Sequence, residues 1–452
     1  PDLRKRVLFT LFLLAVYRLG SQVPTPGINL ERWEEFFERN AGGIFGFFDL
    51  FAGGNIRRLT VFALGIMPYI TSSIILQLLT VVVPTLEKLQ KEGELGRRKI
   101  TQWTRYLTFI LAMIQSFTIG QGLQAMQGNI VINPGFGFTM LTMISLTTGT
   151  VFIMWLGEQI TERGVGNGMS LIIFAGIVVG LPDAIAQMYR NVFITKEWGF
   201  LTLLLIVFMM VFVVAFVVLV ERGERRIPVQ YAKRVIGRRV MGGQATHMPL
   251  KVNAGGVIPV IFASSILAFP QTLAQFPFVK ASPWMSSTLR AIQSGEPLYV
   301  LLFTAGIVFF CFFYVSIIFN PHETADNMRK YGGFVPGIRP GKNTAEYIND
   351  ILSKITVVGG LYLAILCLIP DIMLHGIKLQ HLPLIGNWID SLPVRFLLDG
   401  LNVQFYFGGT SLLIVVGVAM DTVNQVEAQL IMRHYEGFTP RAGRIRGRRS
   451  SV

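Results

Sequence analysis

Between Leu59 and Leu86 the chain carries no Asp, Glu, Lys or Arg. A run of this length crosses a bilayer as helix, because a hydrocarbon core of ~30 Å needs about 20 apolar residues. It is not a plain anchor. Gly65 and Pro68 stand near its middle, and Thr71, Ser72, Ser73 and Gln77 follow. Pro and Gly loosen a helical backbone, and small hydroxyls suit helix contacts or a wet cavity better than lipid. Just upstream, Ile44 to Ala52 read IFGFFDLFA between Gly42-Gly43 and Gly53-Gly54. That stretch is apolar but too short to span, as re-entrant and interfacial segments are. A half-helix feeding a broken, polar-spotted span is the pattern expected of a pathway lining.

The rest of the chain supplies the setting. Of its 452 residues 52% are hydrophobic and 15% charged, with a mean hydropathy of +0.54. A soluble globular protein is about 25% charged. The expected fold class is therefore an all-α, polytopic membrane protein. Cys311 and Cys367 both lie within apolar runs, which argues against a disulfide scaffold or a thiolate metal site. Arg4, Lys5 and Arg6 precede the first apolar run, but no small-residue cleavage pattern follows it. The opening at Pro1, without Met, suggests that residues before it were removed or left out.

Ten spans are predicted, at 7–24, 58–81, 104–124, 138–158, 167–188, 199–220, 255–275, 298–319, 348–370 and 403–423. Tyr106 to Gly157 is free of charge and too long for one crossing, and Asn133-Pro134-Gly135 divides it in two. Ten crossings place the Lys and Arg residues 29 on one side and 10 on the other, with Arg18 inside the first span. Cytoplasmic loops carry the excess of Lys and Arg, so both termini are expected in the cytoplasm. Spans one to five and six to ten are equal and odd in number. Any structural repeat is then an inverted one, with a pathway between the halves. The expected divisions are an N-terminal half at 1–190 and a C-terminal half at 191–425. A basic cytoplasmic tail at 426–452 follows.

Several motifs admit a plain reading. WLGEQITERGVGNGMS, Trp155 to Ser170, is a membrane-exit turn in which Gly164, Gly166 and Gly168 allow a tight reversal. G-x-G-x-G with no strand before it is not a dinucleotide site. The loop 221–254 holds eight basic residues against Glu221 and Glu224. IPVQYA in it is β-prone and a Gly-Gly pair follows, so a hairpin-like projection is expected. Orientation alone needs only a few charges near the membrane, so this density points to an acidic partner, RNA phosphate or protein. In the loop 320–346, His322-Glu323 lacks the second His four residues on, where Asp326 stands, so the zinc-site pattern is incomplete. YGGFVPGIRPG then reads as a rigid, turn-rich loop presenting Arg339.

There is no G-x-S-x-G, no P-loop and no carboxylate pair inside the spans, so an intramembrane enzyme is disfavoured and no cofactor is implied. An inverted-repeat secondary transporter is the alternative reading. Ion pathways are usually marked by intramembrane ionisable residues, whereas Glu158 and Asp421 fall at cytoplasmic span ends.

FALGIMPYITSSIILQ, MWLGEQITERGVGNGMS, VNAGGVIPVIFASS, FNPHETADNMRKYGGFVPGIRPG and FGGTSLLIVVGVAMDT together resemble the SecY family over essentially the whole chain. That family supplies the channel subunit of the bacterial protein translocon. The resemblance implies two five-helix halves around an hourglass pore, a plug helix in the outer funnel, and a lateral gate between helices two/three and seven/eight. It places the plug at about 44–55, on Ile44, Phe45, Phe47, Phe48, Asp49, Leu50, Phe51 and Asn55. It places the pore ring on Ile66, Ile70, Met169, Ile173, Ile261 and Ile414; Met169 stands where isoleucine is common. Docking of SecA, the motor ATPase, or of the ribosome falls on Arg238, Arg239 and Arg339. SecE and SecG are the implied subunit partners. Preproteins bearing signal sequences are the implied cargo, which is translocated across, or released laterally into the lipid of, the bacterial cytoplasmic membrane. The physics agrees: flexible aliphatic side chains deform around a passing chain and exclude ions by dewetting.

Overall fold

The computed structural model describes residues 2–40, 49, 52–125, 130–194, 200–231, 234–236, 239–241, 245–273, 292, 296–375 and 409–436. Each of the ten apolar stretches holds helix there. In chain order the helices are α1 (Asp2–Gly20), α2 (Leu30–Asn40), α3 (Met67–Val82), α4 (Pro84–Lys91), α5 (Glu94–Ala125), α6 (Phe136–Arg163), α7 (Gly168–Val179), α8 (Leu181–Tyr189), α9 (Phe200–Glu221), α10 (Ile258–Leu273), α11 (Pro297–Ile318), α12 (Pro321–Lys330), α13 (Lys342–His375) and α14 (Gly409–Glu436). Among the described residues five helices are long and apolar enough to cross a membrane. A sixth span forms if α3 and α4, bent by 105° at Val83, count together. Pro84 sets that bend: it cannot continue the α3 hydrogen-bond ladder and instead opens α4.

The broken second span differs from its sequence reading. Pro68 sits in the first turn of α3, where its missing N–H is one of the unpaired donors anyway. The break lies upstream, in consecutive turns from 53 to 66, with Gly65 at φ +56°. Ile66 is the N-cap of α3 rather than part of its helical face, and its carbonyl accepts from the N–H groups of Tyr69 and Ile70. Buried hydroxyls are satisfied within the helix; Ser72 Oγ donates to the Pro68 carbonyl at 2.7 Å.

Close backbone approach depends on glycine, as at Gly149 and Gly168. A Cβ on Gly149 of α6 would lie 2.1 Å from the Val61 carbonyl oxygen, and one on Gly168 would lie 1.9 Å from that of Gly157. Backbone cannot yield as a side chain can. Gly149→Ala is therefore expected to destabilise by about 1–3 kcal/mol, the usual range for overpacking. Gly120→Ala, whose Cβ meets Thr139 at an ordinary 3.4 Å, should be near neutral. Thermal unfolding midpoints of the purified variants check this; equal midpoints would refute the close approach.

The loops 221–254 and 320–346 add the strands. β1 (Glu224–Tyr231) pairs antiparallel with β4 (Ala245–Lys251), from Glu224 opposite Lys251 to Gln230 opposite Ala245. β2 (Arg234–Ile236) and β3 (Arg239–Met241) form a smaller hairpin beyond it. The projection expected from IPVQYA is thus present. Its other edge was not foreseen: β1 also pairs with β5 (Gly333–Phe334) of the second loop. Ile227, Leu250, Val335 and Ile348 form a small core beneath this sheet. At about 1.5–3 kcal/mol per buried aliphatic side chain, that core ties the two loops and the start of α13 into one platform.

Candidate functional site

Two helix pairs bring distant parts of the chain together. α10 lies against α3 and α14 lies against α7, so each pair joins one half of the chain to the other. Ile66, Ile70, Ile173, Ile261 and Ile414 all belong to one buried apolar cluster. Ile414 is fully buried and Ile66 is 2% exposed. Residues from four separate stretches of sequence thus come together without a charged side chain among them. Met169 differs: a Cβ on Gly157 would fall 2.4 Å from its sulfur, so Met169 packs back on α6. It borders the cluster rather than sitting inside it.

The turn before α7 fixes this geometry. Asn167 caps the helix, its Oδ1 accepting from the Met169 N–H at 3.1 Å. Thr161 Oγ1 accepts from the Gly168 N–H at 2.9 Å, and Thr10 Oγ1 of α1 accepts from the Val165 N–H at 3.1 Å. Gly166 adopts φ +83°. The glycines expected to permit a tight reversal therefore do separate jobs: left-handed backbone at Gly166 and close helix contact at Gly168.

Of the plug residues, Ile44, Phe45, Phe47, Phe48, Leu50 and Phe51 lie outside the described residues; Asp49 and Asn55 lie within them. Asp49 is buried, and its Oδ1 accepts from the N–H groups of Ile56 at 2.8 Å and Arg57 at 2.9 Å. Burial pushes its carboxyl up to about 6, against the downward pull of those two bonds and of the Arg57 and Arg58 charges. Asn55 Nδ2 donates to the Ala52 carbonyl and, at 3.2 Å, to the Tyr17 hydroxyl. Trp33 of α2 donates its indole N–H to the Ile56 carbonyl at 2.9 Å. Neither Tyr17 nor Trp33 stood out in the sequence; the only signal was a polar-tipped aromatic within an apolar face.

Beside the β1–β5 sheet, Arg339 is exposed in the turn between β5 and α13, and its carbonyl accepts from Thr344 Oγ1 at 3.0 Å. Arg239 opens β3, paired with Ile236, and Arg238 lies outside the described residues. The two acids at span ends have partners: Glu158 meets Arg105 at 2.7 Å and Asp421 meets Lys251 at 3.8 Å. His322 and Glu323 lie in the first turn of α12, their N–H groups capped by Asn320 Oδ1.

Apolar helices long enough to cross a bilayer, packed around an uncharged aliphatic cluster, define a polytopic membrane protein. Known proteins give the family. The SecY family profile matches residues 60–423. Protein translocase subunit SecY of Escherichia coli K12 is 50% identical over 98% of this chain and 95% of its own. That of Streptomyces coelicolor is 47% identical, covering 97% of each chain. Among solved structures, one described as a protein conducting channel aligns with a TM-score of 0.63 at 17% identity, covering 97% of this chain and 95% of that one. Sec61 in a canine ribosome-channel complex aligns at 0.57 and 16% identity, covering 97% and 95%. The chain belongs to the SecY family.

Proposed function

We propose that the chain forms the protein-conducting channel of a bacterial secretory translocase. It passes unfolded preproteins across the cytoplasmic membrane and releases membrane segments sideways through the α3–α10 seam. The observation that carries this reading is the throat: isoleucines from α3, α7, α10 and α14 in one charge-free cluster. Such a collar offers a passing peptide no specific site, and it offers water no hydrogen bond. A coupled carrier would instead place ionisable groups there. The chain itself performs no bond chemistry in this scheme; a motor or the ribosome supplies the drive.

The pore ring is assigned to Ile66, Ile70, Ile173, Ile261 and Ile414, with Met169 at its edge, and the plug to 44–55. The name translocase subunit implies companions. SecE and SecG as membrane subunits, and SecA or the ribosome at the platform carrying Arg238, Arg239 and Arg339, are the partners this reading requires. The decisive experiment arrests a signal-bearing precursor in the reconstituted complex with a photo-crosslinker at Ile173. Adducts at Ile173, and none at exposed Leu301 on the outside of α11, are expected. Labelling only at Leu301 would refute the conduit.

The charge asymmetry also assigns orientation, with both termini in the cytoplasm. Cysteines placed at Ala232 and at Ser286, both outside the described residues, should react with an impermeant thiol reagent from opposite faces. Cys311 and Cys367 are buried and give a low background. Reaction of both sites from one face would overturn the arrangement.

A further inference from the structure

We propose that Glu158 is the docking point for the cationic start of a precursor's signal sequence, and that Arg105 is the placeholder which that start displaces. The inference rests on the channel reading above and names a specificity-determining residue within it. α5 and α6 pack against each other through polar rungs in one antiparallel register. Gln124 Nε2 donates to Thr139 Oγ1 at 2.8 Å, Thr147 Oγ1 to Ser116 Oγ at 3.3 Å, and Arg105 Nε to Glu158 Oε1 at 2.7 Å. Each step along one helix is matched by an equal step back along the other. The first two rungs are neutral, and Ser116 is fully buried. The third is charged, and it closes a run from Tyr106 to Gly157 that holds no Asp, Glu, Lys or Arg. The neutral rungs already fix the register, so pairing of these helices does not require an ion pair at this end.

The pair stands at the edge of the throat. Gly157, next to Glu158, lies against the Met169 sulfur. Tyr69 of α3, next to Ile70, lies within electrostatic reach of both Glu158 and Arg105. Tyr69 and Met169 both border the central aliphatic cluster, which itself offers no charge. The Glu158 side chain is 14% exposed and that of Arg105 44%, so the carboxylate is recessed and the guanidinium covers it. The contact is single: one N–H meets one carboxylate oxygen, although a guanidinium can fork two bonds onto a carboxylate. The second oxygen is left for an incoming cation. Stripping a recessed carboxylate of its cation is costly, but exchange of Arg105 for an incoming Lys or Arg keeps the charge paired throughout. A signal sequence begins with a positively charged stretch followed by about 7–15 apolar residues. Its cationic stretch meets Glu158 while its apolar core meets the aliphatic cluster and the α3–α10 seam.

Glu158→Gln removes the docking charge and leaves Arg105 as an unpaired cation. Arg105→Gln removes the placeholder and leaves Glu158 free. The two variants should therefore act in opposite directions, which loss of a packing contact cannot do. The test uses the complete translocase in vesicles of fixed lipid composition. Its two precursors differ only before the apolar core, one carrying several Lys residues there and the other none. For the Lys-bearing precursor, Glu158→Gln should raise the concentration for half-maximal translocation about threefold and Arg105→Gln should lower it about threefold, within the range of a partly exposed charge pair. The Lys-free precursor should respond to neither change. A carbodiimide, which joins a carboxylate to a nearby amine, should link the Lys-bearing precursor to Glu158 in the parent. A pair that only braces the helices would instead lower the maximal rate for both precursors in both variants, together with the thermal midpoint, and would overturn the proposal. Should Glu158→Gln fail to assemble, Arg105→Gln and the crosslink decide. An unshifted half-maximal concentration in every assembled variant, or no adduct at Glu158 in the parent, overturns the docking point and leaves the channel reading standing. Failure of the parent to pass either precursor would remove both.

Discussion

Replacing Arg238, Arg239 and Arg339 together with Glu is expected to abolish partner-driven translocation while the protein remains inserted and folded. The loop 221–254 carries eight basic residues against two acids, so three reversals shift its platform strongly towards negative. The hairpin and the Arg339 turn belong to one structural unit, because β1 pairs with both β4 and β5 over a shared apolar core. An acidic partner therefore meets the two loops at once. Placing like charges across such an interface costs several kcal/mol, enough to lower affinity on the order of a hundredfold at low salt. Folding should survive: the Arg339 side chain is exposed and only its carbonyl enters a recorded hydrogen bond. Because the Debye length is about 8 Å at physiological salt, parental binding should weaken as salt rises and the reversed protein should lose that dependence. Partner binding to vesicles and precursor translocation are the measurements. Parental levels of both in the triple variant would remove the docking assignment.

How far the chain was legible depends on the range of the interactions involved. Apolar runs announce helices because every residue of a run contributes to the same signal, and each of the ten stretches holds helix. The strand tendency of IPVQYA was likewise local. Three features were not legible for one reason: they join residues distant in sequence. The pairing of Gln230 with Phe334 needs two loops separated by α10 and α11. The Tyr17–Asn55 bond spans 38 positions. The seating of Met169 against Gly157 depends on a side-chain direction that helical spacing does not set. A fourth, Pro68, was a matter of phase. Composition shows that a proline interrupts the run, but only the start of α3 shows that it stands where a helix tolerates it.

The orientation of the site follows from the same distinction. Ile66 and Ile70 are four apart, which on a continuous helix would make them neighbours on one face. In the structure Ile66 belongs to the turn that enters α3 and Ile70 to its first turns, yet both are buried in the same cluster. The conclusion drawn from spacing survives through a different geometry. The Gly65 turn precedes Ile66, so the joint burial of Ile66 and Ile70 depends on that turn as well as on helix periodicity.

Replacing Ile70, Ile173 and Ile261 together with Ser should convert a tight idle channel into a leaking one. The three residues come from α3, α7 and α10, so the change touches both halves at once. Each is under a tenth exposed and has aliphatic neighbours in the central cluster. A narrow throat lined this way stays dry because water entering it gives up hydrogen bonds and gains none. Three hydroxyls and the volume lost with three larger side chains remove both obstacles, and water can then carry ions. Opening also becomes easier, since less apolar contact between the halves is broken, so weaker signal sequences should be accepted. Ile→Val at the same positions, which costs about 0.5–1.5 kcal/mol per site, keeps the lining apolar and should leave the channel tight. The expected record is a silent parent, a silent valine variant and frequent openings of the serine variant, read as single-channel conductance of the purified complex without precursor. Removal of residues 44–55 from the serine variant should increase the leak further, because the proposed plug would add a second barrier in series. A serine variant that stays silent even then would show that these isoleucines pack the helices without sealing the pore, and the throat assignment would fall with them.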